Sequence, residues 1–189
     1  MELLTGIFTA FGLSASAGLN AYIPLLIVGL TAHYFPGTLA LNKPWDTLAH
    51  PGIILLLCVL VIIEMLADKI PAVNHLNDLV QTVVRPAAGA IAFAASANVI
   101  TNVSPVLALA AGLLVAGTVH VAKAGVVRPM VTATTAGTAN VPVSIAEDLI
   151  STAVSLLAIL LPVIIGTLII VLAAFIIYWF YRRSNMQTN

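Results

Sequence analysis

The chain has 189 residues, of which 61% are hydrophobic and only 7% are charged, and its formal net charge is zero. A water-soluble domain of this size needs a larger charged surface than these residues can supply. The neutral balance provides no basic surface for nucleic acid, and a single cysteine excludes an intramolecular disulfide. The composition therefore predicts a protein whose main solvent is lipid.

The first apolar stretch runs from about Leu3 to Tyr34. A continuous helix of that length would reach roughly 45 Å, whereas the hydrocarbon core of a bilayer is about 30 Å thick. Small and polar residues fill Gly12–Asn20, Asn20 is a good helix N-cap, and Pro24 fits the first turn of a following helix. We therefore expect a broken helix, with the break near Gly12–Asn20.

A polar loop follows over residues 35–50, and Pro51 then opens an apolar span that ends at Glu64–Lys69. Residues 71–83 carry apolar side chains at a spacing of three and four, with polar side chains on the other face. This pattern is typical of an amphipathic helix, and its polarity favours a position in the membrane interface. Residues 71–83 are therefore predicted to form an interfacial helix.

Two embedded segments come next in the chain. The first begins at Arg85-Pro86 and ends near Val99, and the second runs from Val106 to Val121. Both are long enough to be embedded and are separated by a tight polar turn. They predict a helical hairpin in the membrane.

The stretch Met130–Val141 contains several threonine and glycine residues and reaches only about 20 Å as a helix. We expect it to be a re-entrant or half-membrane helix, because it is too short to cross the bilayer unaided. The stretch Ser144–Tyr181 is long enough for one tilted helix or two short ones. Pro162 is the expected kink or turn.

Together these segments predict an all-α fold, a polytopic helical membrane protein in one domain over residues 1–189. We expect about five to seven embedded helices. Six of the seven lysine and arginine residues can lie on one side, with Lys43 opposite, which predicts a cytoplasmic C-terminus. The similarity of Val83–Pro86 to Val126–Pro129 is a weak internal repeat, compatible with duplication. Small-residue faces such as Gly112–Gly117 could pack within one chain or in a homo-oligomer.

Glu64 and Asp68 are candidate site residues, because a spacing of four places them on one helix face. Asp68 should lie at the level of the lipid headgroups and Glu64 about one turn deeper, where an unpaired carboxylate is costly. Glu64 is expected to be neutral, paired with Arg85 or Lys123, or part of an ion or proton path. The alternative is a salt bridge that only anchors the helix end.

Asn20 and Asn140 each precede a helix start beside a run of small residues. Free N–H groups at such a start bind anions, and unwound carbonyl groups bind cations, although ordinary capping explains both residues equally well. Ser144–Glu147 matches a capping box, which explains Glu147 about as well as a site does. Asp148 is less well explained by a cap and is retained as a candidate.

Arg85 and Arg128 each precede a proline at the start of an embedded segment, where an arginine contacts either substrate or lipid phosphate. No nucleophile motif, metal-ligand spacing or nucleotide-binding loop occurs. We therefore expect no enzyme activity, no catalytic residue, no metal site and no cofactor. The candidate substrate or ion site consists of Glu64, Asp68, Asn20, Asn140, Asp148, Arg85 and Arg128.

Three motifs together resemble an uncharacterised bacterial membrane family, domain of unknown function 4126. They are Gly12–Pro24 (GLSASAGLNAYIP), Glu64–Pro71 with His75–Asp78, and Arg85–Gly89. The resemblance would cover nearly the whole chain. It implies a small integral protein of the bacterial inner membrane and brings no established activity or site.

The predicted function is that of a transporter or channel for a small solute or ion. The broken segments near Gly12–Asn20 and Met130–Asn140 would pack against each other and against Glu64 to form a polar cavity. The alternatives are a lipid flippase or scramblase, and a non-transporting membrane scaffold. The expected partners are membrane lipids and the transported solute or ion, without nucleic acid.

Overall fold

The computed structural model describes residues 2–97 and 104–185, and these residues are helical apart from short connections and one polar loop. A π turn, Lys123–Val127, lies within Pro105–Thr135, which forms one helix of 31 residues. Counted in this way, the described residues contain seven helical segments. The helices are α1 Glu2–Leu19, α2 Tyr22–Tyr34, α3 Pro51–Ala67, α4 Pro71–Ala97, α5 Pro105–Ala122, α6 Arg128–Thr135, α7 Asn140–Leu160 and α8 Pro162–Asn185.

Helices α1 and α2 form a hairpin whose tip is Asn20-Ala21. The Asn20 Oδ1 atom accepts hydrogen bonds from the N–H groups of Tyr22 at 3.2 Å and Ile23 at 3.1 Å, which caps α2. After α2 the chain returns toward α1, since Trp45 packs against the apolar cluster that contains Ala10. The predicted break is therefore present at Asn20, whereas the small residues before it stay helical up to the end of α1.

Helix α1 is the central helix, and α4, α5 and α7 surround it. Its small residues allow close contact, because Ser14 donates a hydrogen bond to the Gly112 carbonyl group of α5 at 2.8 Å. On α7, the Ser16 hydroxyl lies 2.8 Å from the Ser151 hydroxyl and 2.7 Å from that of Ser155. Serine and glycine thus satisfy buried polar groups and bring helix backbones together, as is usual in membrane bundles.

Helix α4 runs without a break through Pro86, from Pro71 to Ala97. Residues 71–83 are therefore the first half of a helix of 27 residues, and the predicted separation of this segment from the one that starts at Arg85-Pro86 is wrong. A proline removes the backbone donor that would otherwise bond to the carbonyl group four residues earlier. The helix continues because the turn after Pro86 is buried against α1 and α5 through Ala88 and Gly89.

The predicted re-entrant helix Met130–Val141 is also wrong. Its first residues belong to the end of the long helix Pro105–Thr135, and its last residues begin α7. Between them the chain reverses at Ala136 and Gly137, which have φ angles of +50° and +84°.

Helix α7 starts at Asn140, four residues before the predicted capping box, because Pro142 fits the first turn of a helix. Ser144 therefore lies inside the helix, and the interpretation of Glu147 as a capping residue is wrong. At the other end, α7 stops at Leu160 and α8 begins at Pro162, so the last apolar stretch forms two helices.

Within the described residues, three helices are long and apolar enough to span a membrane. They are Leu79–Ala97, Pro105–Thr135 and Asn140–Leu160. Four shorter apolar helices accompany them: Thr5–Leu19, Tyr22–Tyr34, Pro51–Ala67 and Ile170–Trp179. The all-α prediction is confirmed.

The contact between α4 and α5 leads to a test of the packing. A Cβ atom on Gly112 would lie 2.4 Å from the Gly89 carbonyl oxygen and 2.6 Å from the Phe93 Cβ atom, which is too close. Gly112→Ala should therefore reduce the free energy of unfolding by about 1–3 kcal/mol. Gly117→Ala is the matched control on the same helix, because its nearest neighbour, Pro86, is 3.7 Å away. Thermal unfolding in detergent measures both, and equal stability of the two variants would contradict the packing.

Candidate functional site: a buried ionic network

The charged residues of the chain gather at the tip of the α1–α2 hairpin. Four of the seven acidic and four of the seven basic residues are joined there by ion pairs. We call this set the ionic network. Its members are the acids Glu64, Asp68, Glu147 and Asp148 and the bases Lys69, Arg85, Lys123 and Arg128.

Glu64, near the end of α3, is only 1% exposed. Its Oε1 atom accepts hydrogen bonds from Arg85 Nε at 3.2 Å and Arg85 Nη2 at 3.0 Å. Its Oε2 atom accepts one from the Ala21 N–H group at 3.1 Å. Since Ala21 lies at the start of α2, where the helix dipole is positive, the Glu64 carboxylate occupies the anion site that the broken helix creates.

Asp68 follows the last residue of α3 and binds both arginines of the repeated Arg-Pro motif. Its Oδ2 atom lies 3.4 Å from Arg85 Nη2 and 3.2 Å from Arg128 Nη2. Its Oδ1 atom accepts a hydrogen bond from Asn77 Nδ2 at 2.6 Å. The two similar segments therefore meet at one carboxylate, which local sequence comparison does not show.

Burial alone would raise the pKa of Asp68. The positive charges of Arg85, Lys123 and Arg128 and the hydrogen bond from Asn77 outweigh this effect. The pKa of Asp68 is therefore lowered below its usual value. Asp68 is an ionised member of the network at neutral pH.

Lys123 and Arg128 reach the network because of the π turn between them. In a regular α-helix, residues five apart point about 140° away from each other. Here the Arg128 N–H group bonds to the Lys123 carbonyl group, and both side chains face Glu147. Lys123 Nζ lies 2.8 Å and Arg128 Nη2 3.3 Å from Glu147 Oε2. Such π turns are frequent at functional sites.

Lys123 also serves the other end of the hairpin tip. Its Nζ atom donates a hydrogen bond to the Leu19 carbonyl oxygen at 2.9 Å. This carbonyl group belongs to the last residue of α1, where the helix dipole is negative. Both polar ends created by the break thus bind side chains of opposite charge from the protein itself.

Asp148 links α7 to the hairpin tip and to α3. Its Oδ1 atom accepts a hydrogen bond from Asn20 Nδ2 at 2.9 Å, and its Oδ2 atom lies 3.2 Å from Lys69 Nζ. Asn20 is fully buried, and it caps α2 and holds Asp148 at the same time. The side chain is therefore a connector as well as a cap.

His120 extends the network along α5 and is 2% exposed. Its Nδ1 atom lies 3.3 Å from Arg85 Nη1, and its Nε2 atom lies 3.2 Å from the Thr82 hydroxyl. Arginine only donates hydrogen bonds, so Nδ1 must accept and the ring hydrogen lies on Nε2. His120 in this arrangement is a neutral residue that helps to hold Arg85.

The structure brings six of the seven predicted site residues together: Glu64, Asp68, Asn20, Asp148, Arg85 and Arg128. Asn140 is half-buried away from them and exchanges hydrogen bonds of 3.2 Å with Thr132. The described contacts do not join Asn140 to Glu64, and its part in the site stays a prediction. Arg85 is fully buried, so the interpretation as an anchor for lipid phosphate is wrong for this residue.

Sequence reasoning missed four residues of this site: Lys69, Lys123, Glu147 and His120. Lys69 is next to Asp68 in the sequence, and this position beside a candidate acid was the signal that could have identified it. Lys123 had been considered only as a partner of Glu64, and the π turn that directs it has no clear sequence signal. Glu147 was assigned to a local cap, which hid its long-range partners.

The fold and the site define a class: an all-helical bundle with helices that can span a bilayer, and with a charge network at the tip of a hairpin that ends inside the bundle. The chain belongs to the family described as a domain of unknown function (DUF4126), which matches residues 7–183. The resemblance drawn from the sequence is thereby confirmed. No curated protein and no solved structure matches the chain.

Arg85 offers a direct test of the network. Removal of one partner from a buried ion pair leaves an uncompensated charge, so Arg85→Met should reduce the free energy of unfolding by about 3–5 kcal/mol. Glu64→Gln added to Arg85→Met should restore part of this loss, because one unpaired carboxylate disappears. Arg183→Met is the control, since Arg183 is exposed and contacts only the Trp179 ring among its described contacts. Denaturant titration in detergent measures all three, and similar losses for Arg85 and Arg183 would contradict the network.

The charge of Asp68 should make the stability of the protein depend on pH in the acidic range. Because the pKa of Asp68 is lower in the folded protein than in the unfolded chain, its contribution to stability is complete above the ordinary pKa of an aspartate. The contribution is lost as the pH falls through the folded pKa. Melting temperatures measured between neutral pH and pH ~3 should therefore fall less steeply for Asp68→Asn than for the wild type. Parallel curves for the two proteins would show that Asp68 is not held by these cations.

Proposed function

We propose that this is an integral membrane protein that moves a small ion or solute, and that the ionic network closes the pathway in the conformation described. The observation that carries the proposal is the position of the hairpin tip. Helices α1 and α2 contain 18 and 13 residues, which correspond to about 27 and 20 Å. Since a hydrocarbon core is about 30 Å thick, a hairpin that enters from one surface ends within the membrane.

The free-energy cost of placing the ionic network within a membrane supports a role in the passage of an ion or solute. Ionisable residues at membrane depth are expensive, and they commonly mark ion or substrate pathways. Eight ionisable residues surround one helix break. Apolar residues of similar volume often hold helices together as well as buried ion pairs do. A contact that only stabilised the packing of the helices would not need eight charged side chains.

The geometry also suggests how a ligand could enter. Glu64 binds the N–H end of the tip, and Lys123 binds its carbonyl end. An anion could replace Glu64 at Ala21, and a cation could replace Lys123 at Leu19, because helix ends of this kind bind such groups in transporters. Protonation of Glu64 would release Arg85, which would couple the change to protons.

The distribution of charge supports an orientation. The network gathers four basic residues at one end of the bundle, whereas Lys43 lies in the loop after α2 at the other end. By the positive-inside rule the network end faces the cytoplasm of a bacterial inner membrane, and we place the C-terminus there. In this orientation five to seven of the helical segments are embedded.

The experiment has two stages. Thermal-shift screening of the purified protein against ions, amino acids and lipid headgroups across pH first selects a probe. Flux of that probe, and of protons under an imposed potassium diffusion potential, is then measured in proteoliposomes. Glu64→Gln should lose most of the flux, because a glutamine cannot take up and release the proton whose binding frees Arg85.

Asp46→Asn is the matched control, because it removes a carboxylate from the exposed loop outside the network. Its flux should equal that of the wild type. Equal flux for Glu64→Gln and the wild type with every probe would remove Glu64 from the mechanism. Scrambling of fluorescent lipid without solute flux would favour a flippase or scramblase. Co-purification of a stoichiometric partner, without any flux, would favour a scaffold.

A further inference from the structure

A cavity of about 250 Å³ lies between α2, α3 and α7, beside the ionic network. Seven of its nine lining residues are apolar, and Asp148 and Thr152 are the polar ones. The Thr152 hydroxyl already donates a hydrogen bond to the Asp148 carbonyl oxygen. We call this cavity the lateral groove; it is lined by Ile23, Leu26, Ile27, Val61, Met65, Ile145, Asp148, Leu149 and Thr152.

Lys69 stands at the rim of the lateral groove. Its Nζ atom donates to the Met65 carbonyl oxygen at 2.9 Å and to Asp148 Oδ2 at 3.2 Å, and both partners line the groove. An ammonium group has three hydrogens, so these two bonds leave one. The Lys69 side chain is 26% exposed, in contrast to the 0–12% of the three other bases of the network. Lys69 is therefore the base of the network that is most open to an external ligand.

We propose that the lateral groove binds one acyl chain of an anionic phospholipid whose phosphate contacts Lys69. Val61 lies on α3 and Lys69 lies two residues after the end of that helix, so the two are about 12 Å apart at helical rise. The groove therefore presents a charged end and an apolar wall at the spacing of a headgroup and the first part of its chain. Lys69 is paired with Asp148 and keeps one donor hydrogen on a partly exposed ammonium group, and this donor favours an anionic headgroup over a zwitterionic one.

A small polar solute fits the lateral groove poorly. Its donors and acceptors would face isoleucine, leucine and valine without partners, which is costly. The site requires that the helices are embedded in a membrane, but it does not require transport. Failure of the flux experiment would therefore not contradict the lipid proposal. Failure of the lipid experiment would likewise not contradict the proposed transport.

Tryptophan quenching by brominated lipids tests the site. Leu149→Trp places a reporter on the groove, and Leu172→Trp places one on α8; the native side chains are 66% and 58% exposed. Each variant is reconstituted in phosphatidylcholine vesicles with increasing amounts of phosphatidylglycerol, with bromine on the acyl chains of either lipid. The signal of the parent protein, which contains Trp45 and Trp179, is subtracted.

The groove reporter should show about a fivefold preference for phosphatidylglycerol, as expected for one lysine near the headgroup. Lys69→Gln should abolish this preference, Lys69→Arg should retain it, and the Leu172 reporter should show none. Equal quenching of the groove reporter by the two lipids, in the protein that retains Lys69, would overturn the proposal. A preference that survives in Lys69→Gln, or that is equal at both reporters, would overturn it as well.

Discussion

The arrangement of this bundle depends on the neutralisation of one helix break. At Asn20-Ala21 the chain leaves a carbonyl group and N–H groups inside the bundle, where they need partners. Lys123 and Glu64 supply these partners, and each then requires a counter-ion of its own. These counter-ions are Arg85 of α4 and Glu147 of α7, and they are joined through Asp68 and Arg128. Apolar helices have little drive to associate in lipid, so a network with contributions from most of the helices gives them one specific arrangement.

Much of the fold could be predicted from local signals. Asn20 is a strong N-cap followed by a proline in the first turn, and the break occurs there. Pro162 divides the last apolar stretch, because no earlier or later residue in that stretch removes a backbone donor. The spacing of Glu64 and Asp68 placed both on one face, and both now bind Arg85. These predictions succeeded because each depends on residues within one or two turns.

The failures share a physical cause, which is that tertiary contacts overrule local signals. Pro86 does not end α4, since close packing around Gly89 holds the helix. Ser144 resembles a cap but lies inside α7. The π turn extends α5 into α6 and turns Arg128 toward Asp68, although sequence periodicity places Lys123 and Arg128 on different faces. The candidate site was therefore predicted through its acids, while several of its bases became visible only in three dimensions.

The bond between Asn20 and Asp148 joins residues 128 positions apart, and this separation has a consequence for biogenesis. At ribosomal speeds, about 6–26 s pass between the synthesis of these two residues. For all of that interval the first hairpin lacks Asp148, and for most of it Lys123 as well. In the membrane position proposed above, the polar tip cannot make its final contacts until α7 is synthesised. The first hairpin is then completed from the C-terminal half of the chain and not in the order of translation.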